Sequence, residues 1–140
     1  MVDPVEALLD VGLQNILGLL ANVVEDGFDT YGDKVGVTIV IHNTSDRVRL
    51  FRYQYAAIVL QDDVGNVYRS AAEGKSSFYE TIQFEVEPGE VVVLEPANAY
   101  SNSRTYIPRF IGPISPQATK LIVGINGLGP FTGLEVEIDL

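Results

Sequence analysis

The chain has 140 residues and a mass of 15.3 kDa, and 46% of its residues are hydrophobic and 20% charged, which is typical of one folded domain. It has no cysteine and one histidine, which excludes disulfides, iron–sulfur clusters, thiol nucleophiles and multi-histidine metal sites. Nineteen acidic residues against nine basic ones give a formal net charge of −10, so nucleic acid is not expected as a partner.

Residues 1–27 have the spacing of an amphipathic helix. Asp3 precedes Pro4 and is followed three positions later by Glu6, a pattern typical of a capping box with proline at the first helical position. Gly27 is placed to end the helix. Apolar residues recur three and four positions apart, and those expected to pack on the rest of the domain or to mediate self-association are Leu9, Leu13, Ile16, Leu17 and Leu20.

The polar face of the predicted helix is acidic, and this bears on its role. Seven acidic residues and no lysine or arginine precede Lys34. A secretory signal needs a basic start, a membrane span needs about 20 apolar residues, and a membrane-surface helix usually carries basic residues. Packing on the domain or on a second copy is therefore the favoured interpretation. A membrane-active protein that releases and inserts this helix is kept as an alternative, although the composition disfavours membrane binding.

Residues 28–34 (FDTYGDK) predict a turn-rich linker, after which the hydrophobic period changes from 3.6 to 2. Alternating or β-branched runs predict about seven or eight short strands in residues 35–140. The runs cover residues 35–41, 47–61, 67–69, 79–87, 90–94, 106–111, 119–125 and 133–140. We therefore predict a mainly β, antiparallel sandwich domain over residues 35–140, preceded by the helix and the linker.

The order of landmarks in residues 35–140 resembles the immunoglobulin-like sandwich domains appended to bacterial envelope lipoproteins and surface proteins. The landmarks are a strand followed by a polar turn (residues 37–45), a strand closing on residues 60–68, Pro88-Gly89-Glu90 before another strand, and a terminal hairpin. The resemblance implies a non-catalytic adhesion, spacer or protein-interaction module. It implies an extracytoplasmic location if a signal segment has been removed, and a cytoplasmic location is expected otherwise.

The layout of an acidic helix followed by a sandwich is also similar to that of some small pore-forming toxins. The membrane-binding clusters of those proteins are rich in tryptophan, and this chain has none. This second likeness concerns the layout alone, and it supports only the membrane-active alternative.

The sequence Asp62-Asp63-Val64-Gly65-Asn66 is rich in oxygen ligands, and Asp62, Asp63 and Asn66 are weak candidates for a Ca²⁺ site. Their spacing does not match an EF-hand loop. The favoured interpretation is a tight turn in which the Asp and Asn side chains cap the backbone and Gly65 adopts a positive φ. We therefore expect no metal and no cofactor, and keep a Ca²⁺- or carbohydrate-dependent binding module as an alternative.

The sequence contains no recognisable catalytic constellation. Ser45 and Asp46 lie too close to His42 in the chain to form a standard triad with it, and no Gly-x-Ser-x-Gly motif is present. Glu85 and Glu87 fall on one face of a predicted strand, which a solvated face explains without catalysis. We therefore expect that the protein is not an enzyme.

Arginine and aromatic residues, the types enriched in interface hot spots, cluster at two places in the otherwise acidic chain. The candidate partner-binding residues are Tyr100, Arg104, Tyr106, Arg109 and Phe110. A second cluster consists of Arg47, Arg49, Arg52, Tyr53 and Tyr55. Protection of edge strands by charge, together with aromatic packing inside the sandwich, is the favoured explanation for both clusters, and partner binding is the functional one. The sequence thus predicts a structural or protein-binding module whose partner is another protein or a second copy of the chain.

Overall fold

A computed structural model describes residues 15–16, 19–31, 33–97 and 105–140 of the chain. Within these ranges the chain forms twelve strands and two short 3₁₀ turns, Tyr55–Ala57 and Ser76–Tyr79. The strands are β1 (Asn15–Ile16), β2 (Leu19–Tyr31), β3 (Lys34–Asn43), β4 (Arg49–Tyr53), β5 (Ile58–Asp62), β6 (Val67–Tyr68), β7 (Ile82–Val86), β8 (Val91–Pro96), β9 (Tyr106–Ile107), β10 (Phe110–Ile111), β11 (Lys120–Ile125) and β12 (Leu134–Asp139).

The strands form three sheets. The largest has the order β1-β2-β3-β8-β9, with β10 pairing additionally to β3. A four-stranded sheet has the order β12-β11-β5-β6, and β4 and β7 form a two-stranded sheet. Every pairing is antiparallel except that of β8 with β9. The prediction of a mainly β, antiparallel-rich domain is therefore confirmed.

Side chains from all three sheets meet in one hydrophobic core. Along β8 and β11, buried and more exposed positions alternate, as expected for strands with one face on the core. The ring of Phe51 lies at the centre of an aromatic group, 5.8 Å from the ring centroid of Tyr53 and 5.6 Å from that of Phe84. Leu128 and Phe131, in the connection between β11 and β12, are fully buried in the same core. Each such side chain contributes about 1.5–3 kcal/mol by leaving water, so this core holds the sheets together.

The prediction of a helix over residues 1–27 is wrong wherever the structure describes that segment. Residues Asn15–Ile16 and Leu19–Tyr31 are strands, and β2 pairs with β3 from Leu19 opposite Asn43 to Tyr31 opposite Lys34. The physical reason is that β3 presents a long row of backbone N–H and C=O groups. Strand β2 pairs with most of the residues of β3 and so supplies hydrogen-bond partners for these groups. Residues 1–14 and 17–18 lie outside the described residues, and with them the remainder of the predicted helix.

The predicted linker over residues 28–34 is also corrected. Residues 28–31 belong to β2, Asp33 lies in a turn, and Lys34 begins β3. Tyr31 pairs with Lys34, so two residues separate the paired ends of a β-hairpin, and the sequence there is Gly-Asp. Glycine followed by aspartate is a sequence that favours two-residue hairpin turns, and the described residues of the predicted linker lie in paired strands and in the turn at Asp33.

The predicted strands in residues 35–140 correspond to β3 through β12. The run over residues 47–61 divides at the 3₁₀ turn Tyr55–Ala57 into β4 and β5, which belong to different sheets. The run over residues 106–111 likewise divides into β9 and β10. In the ranges that the structure describes, no helix has the length and apolar character required to cross a membrane.

Candidate functional site

The two-stranded sheet of β4 and β7 turns its aromatic side chains toward the core and its other face toward solvent. Leu50 on this outer face is 53% exposed and lies opposite Glu85 in the pairing register. Arg52, two residues further along β4, lies opposite Gln83, and its Nε donates a hydrogen bond of 3.2 Å to Gln83 Oε1. The outer face therefore combines an exposed leucine with cross-strand polar contacts.

On one side of Leu50 lies a groove of about 640 Å³, lined by residues of β4 and of the connection between β11 and β12. The backbone N–H of Gly129 in this connection donates to the carbonyl of Arg52 at 2.8 Å. Gln54 and Thr81 also line this groove. Gln54 Nε2 donates hydrogen bonds to the carbonyl of Tyr79 at 3.2 Å and to Thr81 Oγ1 at 3.3 Å. The lining residues are Leu50, Arg52, Tyr53, Gln54, Ala56, Ala57, Thr81, Asn126, Gly127 and Gly129.

On the other side of Leu50 lies a second concavity of about 460 Å³, which is acidic. Among the described residues, its lining includes three carboxylates and no lysine or arginine side chain. Glu90 is held in place because its Oε1 accepts a hydrogen bond of 2.8 Å from the backbone N–H of Glu87 across the turn between β7 and β8. The lining residues are Leu50, Gln83, Phe84, Glu85, Glu87 and Glu90.

Strand β7 has an open edge in the part of the chain that the structure describes, because its only pairing there is with β4. Opposed residues of an antiparallel pair alternate between hydrogen-bonded and non-hydrogen-bonded positions. The carbonyl of Arg52 accepts its hydrogen bond from Gly129, so it points away from β7, and Arg52 with Gln83 forms a non-hydrogen-bonded pair. Leu50 and Glu85 lie two positions further along their strands, so they also form a non-hydrogen-bonded pair. The backbone groups of Gln83 and Glu85 therefore point toward the open edge.

Of the five partner-binding residues predicted from the sequence, the structure describes Tyr106, Arg109 and Phe110, and two of these three are buried. Phe110 is 1% exposed and belongs to the core, and Arg109 is 9% exposed. Tyr106 is half-buried in β9, where its carbonyl accepts a hydrogen bond of 2.7 Å from the hydroxyl of Tyr53. Burial leaves Phe110 and Arg109 little surface to offer a partner, while a binding role for Tyr106 stays a prediction. The other two candidates, Tyr100 and Arg104, lie outside the described residues.

Of the predicted helix-packing residues, the structure describes Ile16 and Leu20. Ile16 lies in β1, and Leu20 lies in β2, where it pairs with Asn15 on one side and His42 on the other. These two residues are therefore parts of a sheet rather than of a helical stripe. Leu9, Leu13 and Leu17 lie outside the described residues, so self-association through this set stays a prediction.

The weak metal candidate Asp62 is a buried carboxylate whose oxygens are occupied by protein donors. Its Oδ1 accepts the backbone N–H groups of Val64 at 3.0 Å and Asn66 at 2.9 Å. Its Oδ2 accepts Asn66 Nδ2 at 2.8 Å and the Tyr68 hydroxyl at 2.7 Å. Burial alone would raise the pKa of Asp62, but these hydrogen bonds outweigh it and lower the pKa to about 2. The expected turn is confirmed, and Gly65 has a φ of 95° within it.

Asp63 ties this turn to the start of β11. Its carboxylate accepts the hydroxyl of Thr119, the backbone N–H of Thr119 at 2.9 Å and that of Lys120 at 3.2 Å. These bonds, with the Thr119 hydroxyl first, lower the pKa of Asp63. The three weak candidates thus hold a connection between strands. In the described ranges, no group of three or more His, Asp or Glu side chains is arranged to hold a metal ion.

Asn43, at the end of β3, is fully buried and organises the turn that leads to β4. Its Nδ2 donates to the carbonyls of Arg47 at 2.8 Å and Val86 at 2.9 Å. Its Oδ1 accepts the backbone N–H of Ser45 at 3.0 Å and the Ser45 hydroxyl at 2.6 Å. The hydroxyl of Ser45 is therefore engaged in hydrogen bonds within this turn.

The residues around the two concavities were missed as a group by the sequence analysis. The local pattern predicts only a strand at Leu50 and a solvated strand face at Glu85 and Glu87. Both glutamates are indeed exposed. The available signal was a leucine at an outward position of an alternating run, between Arg49 and Arg52. The sequence does not reveal that β4 pairs with β7, because this pairing joins residues about thirty or more positions apart, such as Leu50 and Glu85.

No family model matches the chain, and no curated protein matches it. Among solved structures, the yjhA protein from Bacillus subtilis is similar, with a TM-score of 0.48 and 11% sequence identity, and the match covers 92% of this chain and 95% of that chain.

Proposed function

We propose that the chain is a non-enzymatic protein-interaction module built on an immunoglobulin-like β-sandwich. The antiparallel sheets and their shared core support a sandwich. The binding surface in this proposal is the outer face of the sheet of β4 and β7. Its partner is another protein, or a second copy of the chain.

The observation that carries this proposal is the position of Leu50. A single exposed leucine is common on protein surfaces, so its exposure alone would mean little. Leu50, however, lines both concavities of the outer face, and Val48 beside it is 47% exposed. Polar groups of Arg52, Gln83 and Glu85 surround it. An apolar residue between two concavities and inside a polar rim is the arrangement typical of protein-binding hot spots.

Selection from a random peptide library, displayed on phage, tests this surface without a known partner. Peptides enriched on the wild-type chain are then measured against Leu50→Asp and against the control Val64→Asp. The two side chains are 53% and 51% exposed, so both substitutions should leave the fold intact, which thermal unfolding checks. We expect Leu50→Asp to weaken binding by roughly tenfold or more, as for a hot-spot residue, and Val64→Asp to leave it unchanged. Enriched peptides that bind both variants equally would contradict the proposal.

A second copy of the chain as the partner is tested separately, by sedimentation of the protein over a range of concentrations. Self-association through this surface would give a mass that rises with concentration for the wild type and for Val64→Asp, and a monomer for Leu50→Asp. An oligomer that Leu50→Asp leaves intact would place self-association on a different surface.

A further inference from the structure

We infer that the open edge of β7 pairs with an extended, basic segment of a partner protein. This inference rests on the proposed function as a protein-interaction module, and adds the place of binding, the conformation of the bound segment and its charge. Three features of the edge carry it: the direction of its backbone groups, the carboxylates beside it, and its length.

The backbone groups at the open edge of β7 are placed to pair with another strand. The N–H and C=O of Gln83 and Glu85 point away from β4, and no other strand pairs with β7 in the described part of the chain. A row of such groups at a sheet edge is a template for one more strand, because an added strand supplies a donor for each carbonyl and an acceptor for each N–H. Peptide recognition by strand addition uses these main-chain bonds for affinity and the adjacent side chains for specificity.

The side chains beside the edge select for positive charge. Glu85, Glu87 and Glu90 line the acidic concavity, and none of the described residues that line it is basic. Directly opposed residues of neighbouring strands lie about 4.5–5.5 Å apart, so a lysine or arginine on an added strand would reach these carboxylates. The side chain of Arg52 is positively charged, but it lies beside Gln83, near the start of β7 and away from Glu87 and Glu90. The charged end of the edge is therefore the one near Val86.

The same charges argue against a second copy of this chain as the occupant. Two β7 edges paired with each other would bring two acidic concavities together, and this repulsion between like charges disfavours the pairing. The formal net charge of −10 adds a general repulsion between copies and attracts basic partners. The occupant is therefore a basic segment of a different protein.

The length of the edge sets the length of the segment. Strand β7 has five residues, Ile82–Val86, and Pro88 with Gly89 turns the chain away immediately afterwards. A positive φ of 79° at Gly89 belongs to this turn. A segment of about seven residues with alternating basic and apolar side chains covers the strand, since successive side chains of a strand point to opposite faces.

The experiment uses the full-length chain and a capped peptide of about seven alternating lysine and valine residues. Titration is followed by calorimetry and by the amide resonances of the chain. We expect saturable binding, with shifts and slower hydrogen exchange at the amides of Gln83 and Glu85. The amide of Leu50, on the far edge of β4, is the internal control and should keep its exchange rate.

Two comparisons separate strand pairing from simple charge attraction. The double variant Glu85→Lys and Glu87→Lys should weaken binding by roughly tenfold or more, whereas Glu135→Lys, an exposed glutamate of β12, should not. A peptide of the same sequence, N-methylated at alternate residues on the pairing edge, keeps its charges and loses its main-chain donors. It should bind roughly tenfold or more weakly, because unpaired backbone groups cannot form the ladder.

Each alternative result has a defined meaning. Absence of binding, binding that the double variant leaves unchanged, or full binding by the N-methylated peptide would overturn the inference. If library peptides bind in a Leu50-dependent manner but are not basic and leave the Gln83 and Glu85 amides unshifted, the proposed function stands and this inference fails. If no library peptide depends on Leu50 while the basic peptide still pairs with β7, the proposed outer-face surface fails and the edge remains the binding site.

Discussion

The hydroxyl of Tyr68 donates a hydrogen bond of 2.7 Å to Oδ2 of Asp62, so one buried carboxylate joins the strand β6 to the end of β5. The same hydroxyl accepts a hydrogen bond of 2.9 Å from the backbone N–H of Ser115. The turn that contains Asp62 and Asp63 therefore uses its carboxylates to cap backbone N–H groups, and Tyr68 links it to the segment before β11. Because the carboxylate is held in its ionised form, this link makes the stability of the fold depend on pH.

Asp62→Asn should remove an acid-dependent part of the stability. The pKa of Asp62 in the folded protein, about 2, lies below its ordinary value of 3.8, so the contribution is fully present above pH 3.8 and is lost as the pH falls toward 2. Urea unfolding over this pH range gives the free energy of unfolding at each pH. The wild type should lose stability more steeply than Asp62→Asn below pH 3.8. The exposed Asp46→Asn is the control and should follow the wild type; the same steepness in Asp62→Asn would contradict the assignment.

Tyr68→Phe should destabilise the protein by about 1–3 kcal/mol, because it leaves Asp62 without one donor and Ser115 N–H without its acceptor. The size of the ring is unchanged, so packing contributes little to the loss. A double-mutant cycle with Asp62→Asn, measured by urea unfolding, isolates the coupling between the two side chains. Additive effects of the two substitutions would show that the hydroxyl and the carboxylate do not stabilise each other.

The part of the fold that was predictable from the sequence is the part in which local pattern and tertiary pairing agree. β3 is an example, because its β-branched run and the polar residues that follow it predict a strand and its end. The turn at Asp62 is another, since Asp, Gly and Asn residues favour such turns for local reasons. Both predictions needed no knowledge of which other strand lies alongside.

The predictions from the sequence were wrong or incomplete where pairing with a strand distant in the chain decides the local structure. Leu20 and Val23 fit the spacing of a helix, but β2 pairs with β3, with Leu20 opposite His42 and Val23 opposite Ile39, and this pairing decides in favour of the strand. The exposure of Phe110 depends on β10 pairing with β3 at Val35, which no local pattern reports. The candidate site has the same origin, because Leu50 and Glu85 become neighbours only through the pairing of β4 with β7.

Asn43→Ala should destabilise the protein by about 1–3 kcal/mol, because the buried amide donates to the carbonyls of Arg47 and Val86 and links the end of β3 to the start of β4 and the end of β7. Ser45→Ala is the matched control. It removes the hydroxyl contact to Asn43 but retains both amide donations, so its loss should be smaller. Thermal and urea unfolding of both variants measure the difference. Equal losses would mean that the amide contributes through the Ser45 turn and not through Val86.

Gly129→Ala should be more destabilising than Gly133→Ala, although both glycines have a positive φ, 56° and 66°. The left-handed conformation costs an alanine about 1–2 kcal/mol at either position. At Gly133 an added Cβ would meet no atom within 4 Å, so strain is the whole effect. At Gly129 it would overlap Cε2 of Phe51 and lie 2.7 Å from Cδ2, and this ring is fully buried among core aromatics.

Because the Phe51 ring cannot move without disturbing its aromatic neighbours, Gly129→Ala should lose about 1–3 kcal/mol more than Gly133→Ala in urea unfolding. The additional variant Phe51→Leu in the Gly129→Ala background separates the two causes, since a smaller side chain makes room for the Cβ. The penalty of Gly129→Ala should then fall toward that of Gly133→Ala. If the penalty stays the same with leucine at position 51, backbone strain alone accounts for it, and the connection between β11 and β12 does not depend on close packing against Phe51.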